Sequence, residues 1–435
     1  MTQVAERHEA LASAFEAFRS QPASGAGTLR ELRSDAFARF LDRGWPTTRD
    51  EEWRHTSIAP IASATFGPTT GPEPSRQALE PFLFDGDIRH QMVVVNGRLS
   101  AALSTVDALP AGVTVRSLAA ALAAGAPGAL AAAMRPNTGT TPLVDLNTAF
   151  FEEGVLVEIA AKAIVADPIH VLFVTSVDRP AMVPTRLAVV AGAESQATIV
   201  ETYTGVGAGG SFTNAVTHVA VGAGGHVDHV KLQREPADAF HLSSTFVRLE
   251  RAAVFASRAI TLGGRIGRND ITATLAGEGA ECTLNGVYVA DGDTLVDTHT
   301  TIDHAEPHCP SHEVYKGILG GKARAVFNGK IIVRPQAQKT DAKQTNKALL
   351  LSDDAQINTK PQLEIFADDV KCTHGAAIGQ LDEDAMFYLR ARGVAVKDAR
   401  NMLIHAFAGE VLDGIAVDAV RDRALRLIDD KLHLT

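Results

Sequence analysis

Two hydrophobic periods divide the chain. In residues 1–90, Leu11, Ala14, Phe15 and Phe18 recur at i, i+3, i+4 and i+7, the mark of one helix face. Leu29, Leu32, Ala36, Phe37, Phe40 and Leu41 do much the same, with Gly44 as a stop and Gln21–Gly27 (QPASGAG) as the linker between the two helices. From Gln91 the period becomes two. MVVVNG, VLVEIAA, HVLFVTS, LAVVAG, ATIVETYTG, HVDHVKL, TFVRLE and ITATLAG are short β-branched runs separated by Gly, Asp and Asn, the pattern of strands and turns. Helical patterning is nearly absent between Gly154 and Gly379. It returns with Asp382 as an N-cap, Glu383 and Asp384 in a first turn, Arg390 and Arg392 in a last turn, and Gly393 as the stop. A second helix carries Ala399, Met402, Leu403, Ala406, Phe407 and Val411 on one face, and a third carries Val417, Val420, Ala424, Leu427 and Ile428.

A degenerate repeat narrows the β class. An apolar residue followed by small turn residues and a new strand recurs after Val190, Val221, Leu249, Leu275, Leu319 and Leu351. Such a unit predicts a solenoid over a sandwich or barrel, with about ten rungs spaced ~4.8 Å apart. Solenoid ends expose strand edges that need covering, and the terminal helices are the available caps. The reading is therefore a mainly β chain with a right-handed parallel β-helix core at 91–380, between an N-terminal helical region at 1–90 and a C-terminal helical domain at 381–435.

Composition removes several function classes. The chain has 435 residues, a net charge of −10 and 6% aromatic residues. No run of five or six like charges occurs, so a nucleic-acid footprint is not expected. Cys282, Cys309 and Cys372 are the three cysteines and form no CxxC. They make neither a disulfide framework nor a closed four-cysteine metal site, and a reducing cytoplasm is the expected setting. The N-terminus lacks the pattern of a signal peptide. The most apolar window, 117–134, is broken by Gly125, Pro127 and Gly128, so no membrane span is expected.

Four segments carry candidate chemistry. GVGAGG at 205–210 fits a dinucleotide fingerprint in form, but the strand-like SFTNAVTHVAV follows where a helix N-terminus is required. It reads as a Gly-rich turn. GILGGKARA at 317–325 lacks the spacing and the Ser or Thr of a phosphate loop, so ATP hydrolysis by this chain is not expected. DTHTTIDHAEPHCPSH at 297–312 packs His299, His304, His308 and His312 around Cys309. His304, His308, Cys309 and His312 are weak metal candidates, set against hydrogen-bonded histidines at a turn broken by Pro307 and Pro310. Cys372 and His374 stand two apart, on one face if the backbone is extended. They are soft donors suited to iron or zinc, or a packed cysteine beside a capping histidine.

The same stretch resembles a known family. DDVKCTHGAAIGQLDEDAMFYLRARG (368–393), YKGILGGKARAVFNGKI (315–331), AQKTDAKQTNKALLLS (337–352) and PTTRDEEWRHTSIAPI (46–61) are similar to segments of the SufB/SufD scaffolds of iron–sulfur cluster assembly. The resemblance implies a non-catalytic subunit that pairs with SufB and docks the SufC ATPase. It implies no resident cofactor in the isolated chain, with a transient iron–sulfur cluster and a reduced flavin belonging to the complex. It assigns His374, and more weakly Cys372, to the cluster-assembly interface. The C-terminal helix with Met402, Leu403, Phe407 and Val411 is the expected SufC contact. SufB-type scaffolds carry a cysteine upstream and a glutamate after the histidine. Here 351–361 has no cysteine and Gly375 follows His374, which places the likeness on the SufD side. A homodimer of the isolated chain stays open. The alternatives are a stand-alone metal-binding enzyme using His299–His312, or a β-helix carbohydrate-active protein, the latter disfavoured by only two Trp and four Tyr.

Overall fold

A computed structural model describes residues 3–20, 27–67, 69, 71–84, 86–106, 109–125, 130, 134, 141–207 and 210–432. The linker read at 21–27 lies outside them save for Gly27, as do Pro127, Gly128, Ala208 and Gly209.

The period-two runs form strands that alternate between two sheets, of ten and nine strands among the described residues. Each turn of the chain adds one strand to each sheet, as in Ala181–Ala191, Gln196–Val206, Ser211–Val221 and His226–Gln233. From Val155–Ile159 onward the pairing within each sheet is parallel. The result is a β-solenoid of about seven turns. The sequence repeat suggested more because the strands His90–Val95 and Arg98–Ser100, and Val113–Ser117 and Val155–Ile159, pair antiparallel and close the N-terminal end of the coil.

The irregular repeat now has a cause. Val221, Leu249 and Leu275 are stacked partners in the nine-stranded sheet, and the next members of that stack are His304, Val333 and Ile365. Leu319 belongs to the other sheet. The long interval from Leu275 to Leu319 arose because the true next position holds a histidine.

Through the N-terminal and middle turns both sheets are covered on both faces, which is why many strands there read as nearly continuous apolar runs. In Ile169–Ser176, Ile169, Val171 and Phe173 point into the core between the sheets, while Leu172 and Val174 join an outer cluster with Leu79, Leu83 and Val93. Helices α1 (Gln3–Arg19), α2 (Thr28–Arg43) and α3 (Pro142–Phe150) belong to the N-terminal half. Phe40, Trp53, Ile58, Ile61, Leu143 and Leu146 cover Phe212, Leu242 and Ile266 on the nine-stranded sheet. Gly44 ends α2 with φ 69° and donates to the Phe40 carbonyl.

At the other terminus, Asp382 caps α4 (Glu383–Ala391) by accepting from the Asp384 and Ala385 amides at 2.9 and 3.0 Å. Helices α5 (Val396–Leu412) and α6 (Asp418–Leu432) do not lie over the end of the coil. Ile404, Ala408, Val411, Leu412, Val420, Ala424 and Ile428 pack on the flank of the ten-stranded sheet, against Val230, Ile260, Val287 and Ile318. The face expected for α5 is thus partly corrected. Ala399 and Val411 are buried as read, but Ile404, Ala408 and Leu412 complete the buried stripe and Met402 is exposed. Apolar residues cover a wide arc of this helix, so periodicity alone did not choose the face that the sheet selects.

Candidate functional site

The flank position of the C-terminal helices leaves the last rung of the solenoid open. Gln356–Ile365 and Lys371–Gly379 are the final strands of the two sheets, and each pairs on one side only. Ile365, Phe366 and Ile378 are exposed there. An unpaired edge with apolar side chains is a template for another chain.

Cys372 and His374 both sit on the Lys371–Gly379 edge strand, and their spacing puts them on one face. They part in environment. Cys372 pairs with Ala342 and packs beside Ile331, Val333 and Ala367. It is half-buried, and burial pushes its thiol above the usual range, so it is an ordinary packed thiol. His374 is exposed and pairs with Gln344. Beneath it Gln344 donates from Nε2 to Glu313 Oε2 at 2.7 Å. Glu313 is fully buried, and burial lifts its carboxyl to about 7 against the opposing effect of the bond from Gln344.

The structure does not bring the His299–His312 group together. His299 points to the outer face of the nine-stranded sheet, where Asp297 and Glu52 hold it at 3.0 and 3.2 Å. Burial opposes the charged ring, but the two carboxylates outweigh it and lift it to about 9. His304 faces the interior, bonds Ser311 Oγ at 3.0 Å and is pushed down to about 4 by burial. His308 is exposed at φ 60° in the turn between strands, and His312 lies on the next strand in the other sheet. Cys309 is buried with its sulfur at the Gly277 and Pro307 carbonyls. Among the described residues no three His, Cys, Asp or Glu side chains are grouped to hold a metal ion.

The segments that carried the resemblance have structural explanations. In YKG (315–317), Tyr315 enters the core beside Gly286, and Gly317 makes room for the Tyr288 ring, which a Cβ there would meet at 2.3 Å. Lys316 points outward, donates to the Phe407 carbonyl at 2.8 Å and pairs with Glu410, tying α5 to the sheet. In NGK (328–330), Gly329 faces Gln344, whose Nε2 a Cβ would meet at 2.2 Å. The N-terminal motif docks through Trp53 and Arg268. Arg268 also bonds Asp297 at 2.7 Å and the Glu52 carbonyl at 2.7 Å. At 205–210 a strand follows, beginning at Ser211, so no helix is there to hold a pyrophosphate.

Sequence reading missed Glu313, Gln344 and Arg268. For Glu313 and Gln344 the available signal was a polar residue at an inward position of an alternating strand, but which face was inward required the fold; Arg268 stands on the outer face, against Trp53. On the C-terminal helices, Phe387 (74% exposed), Tyr388, Val396 and Met402 are large apolar residues in solvent. Of the residues named for partner docking, Leu403 and Phe407 are half-buried and Val411 faces the sheet.

Comparison with known proteins matches two family models: the SUF system FeS cluster assembly SufBD core domain over residues 173–407, and the SufBD protein N-terminal region over 7–171. An iron–sulfur cluster assembly SufBD family protein of Synechocystis is 35% identical over 388 residues, covering 87% of this chain and 85% of that protein. The iron–sulfur cluster assembly protein SufD of Escherichia coli is 35% identical over 238 residues, 55% of this chain and 56% of that protein. The chloroplastic protein ABCI7 of Arabidopsis thaliana is 29% identical over 427 residues, 95% of this chain and 88% of its own.

Proposed function

The chain belongs to the SufBD family of the SUF iron–sulfur cluster assembly system, and we propose that it serves there as the SufD-like, non-catalytic scaffold subunit. The observation that carries this reading is the open rung: a free edge strand that bears His374 on an exposed position. SufB is the proposed partner at that edge, with the nascent cluster as cargo built between the two subunits. The imidazole of His374 would hold iron or a sulfur species transiently. SufC would dock on α4 and α5, where Phe387, Tyr388, Val396 and Met402 stand exposed, because uncovered apolar clusters mark partner sites. ATP-driven closure of SufC would strain the edge contact and open the site near His374. Reduced flavin stays a guest of the complex, and no residue here is assigned to it. No helix among the described residues is long and apolar enough to cross a membrane, and the cytoplasm is the proposed setting.

The test is co-purification of the tagged chain with SufB and SufC. Ile378→Lys with Phe366→Lys should release SufB and keep SufC. Phe387→Asp with Met402→Asp should release SufC and keep SufB. Retention of both partners by both variants would overturn the assignment of the two surfaces. A tagged chain that pairs only with itself would favour a homodimer at the open edge.

A further inference from the structure

The inner face of the ten-stranded sheet carries a column of side chains that begins at the open end. His374 stacks on Gln344, Gln344 on Glu313, Glu313 on Leu284, Leu284 on Ser257, and Ser257 on His229. Directly paired residues of a parallel ladder face the same way, about 4.8 Å apart. Leu284 divides the column, so the outermost three members form a unit of their own.

Gln344 is the middle of that unit and is 2% exposed, while Glu313 is 1% exposed. The two are joined by the 2.7 Å bond from Gln344 Nε2 to Glu313 Oε2. Gln344 Oε1 is buried and has no hydrogen-bond partner. An amide oxygen left in this state is costly, and such a group in a native structure calls for a functional or structural explanation. The space is built for this amide, because Gly329 on the opposite sheet lacks the Cβ that would collide with it. An aliphatic residue at 344 would remove the buried amide oxygen but also the bond to Glu313, and the fold keeps Gly329 clear for the amide.

We propose that Gln344 is a positioning residue for His374: its nitrogen is committed to Glu313, and its carbonyl oxygen accepts the N–H of one ring nitrogen of His374. That bond fixes the tautomer and turns the lone pair of the other nitrogen outward, over the edge where a partner strand would pair. An imidazole donor is commonly set in this way, by the hydrogen bond its second nitrogen makes. His374 is exposed and directly paired with Gln344, so its side-chain torsions are free to turn the ring toward the amide. The proposal rests on the reading of His374 as an assembly residue.

The experiment uses the full-length chain labelled with 15N-histidine. Long-range 1H–15N spectra are recorded at about pH 8, where an ordinary imidazole is neutral. His374 is assigned by its loss in His374→Ala, and the exposed His308 serves as reference. Wild type should show one His374 tautomer in clear excess over the ratio at His308. Gln344→Leu, or Gln344→Met if the first variant folds poorly, should bring His374 to the His308 ratio. With SufB and SufC present, the same variants should form the complex but lose roughly tenfold or more in cluster maturation. An unchanged tautomer ratio in a folded Gln344 variant overturns the proposal. If His374→Ala itself matures clusters normally, the parent reading fails instead. If His374→Ala fails while Gln344→Leu is normal, only the role of Gln344 falls.

Discussion

The guanidinium carbon of Arg268 lies 3.8 Å from the centroid of the Trp53 ring. Two segments 215 positions apart, by subtraction of their numbers, thereby meet on the outer face of the nine-stranded sheet. Arg268 is buried, and it holds Asp297 at 2.7 Å and Asp270 at 2.8 Å. Burial opposes ionisation of Asp297, but Arg268 and His299 keep its carboxyl down at about 2. Arg268→Met should therefore cost about 3–5 kcal/mol, because it takes one of two cations from a buried carboxylate and the stacking partner from Trp53. Trp53→Ala should cost a similar ~3–5 kcal/mol through the cavity it leaves. Denaturant midpoints measure both, and losses below ~1 kcal/mol would mean that the N-terminal motif is not anchored this way.

One half-buried and one buried group predict how stability changes with pH. His299 is raised to about 9, so its contribution is full below its unfolded value near 6.5 and is lost as pH rises through about 9. Glu313 is raised to about 7, so stability falls as pH rises from about 4.5 through 7. His299→Gln should flatten the loss in the upper window by about 3 kcal/mol, and Glu313→Gln should flatten the lower one. Urea midpoints across both windows check the two effects separately.

The interior glycines should not tolerate a methyl group. A Cβ at Gly317 would meet the Tyr288 ring at 2.3 Å, and one at Gly329 would meet Gln344 Nε2 at 2.2 Å. Gly317→Ala and Gly329→Ala should each lose about 1–3 kcal/mol by overpacking. A Cβ at Gly375 would meet nothing within 4 Å, so Gly375→Ala should stay within about ±0.5 kcal/mol. Chemical denaturation of the three variants side by side is the measurement.

His374→Ala should leave the fold nearly unchanged, with a loss of about 1 kcal/mol or less, because the side chain is exposed. It should still assemble with SufB and SufC yet fail to support iron–sulfur enzyme maturation. Cys372→Ala should be milder in maturation, since Cys372 packs beside Ala342 and Val333. Full complementation by His374→Ala with a normal complex would remove His374 from the site.

Much of the architecture was legible because its causes are local. Alternation of side chains, glycine at turns, the Asp382 cap and the Gly44 stop act within a few residues, so the strand-rich core and its flanking helices could be read from the chain. The likeness carried by 368–393 led to Cys372 and His374 for the same reason, since both stand in one short segment. Only the tertiary structure decided the rest. Parallel pairing sets which distant residues stack, and loop lengths set that register. It puts His304 in a stack with Leu275 and Val333, parts His299 from His312, and places Gln344 and Glu313 in line beneath His374. The last rung is open because α5 and α6 bury their apolar stripe on the flank of the sheet. That choice depends on the shape of a surface assembled from several separate strands, which no single stretch of sequence contains.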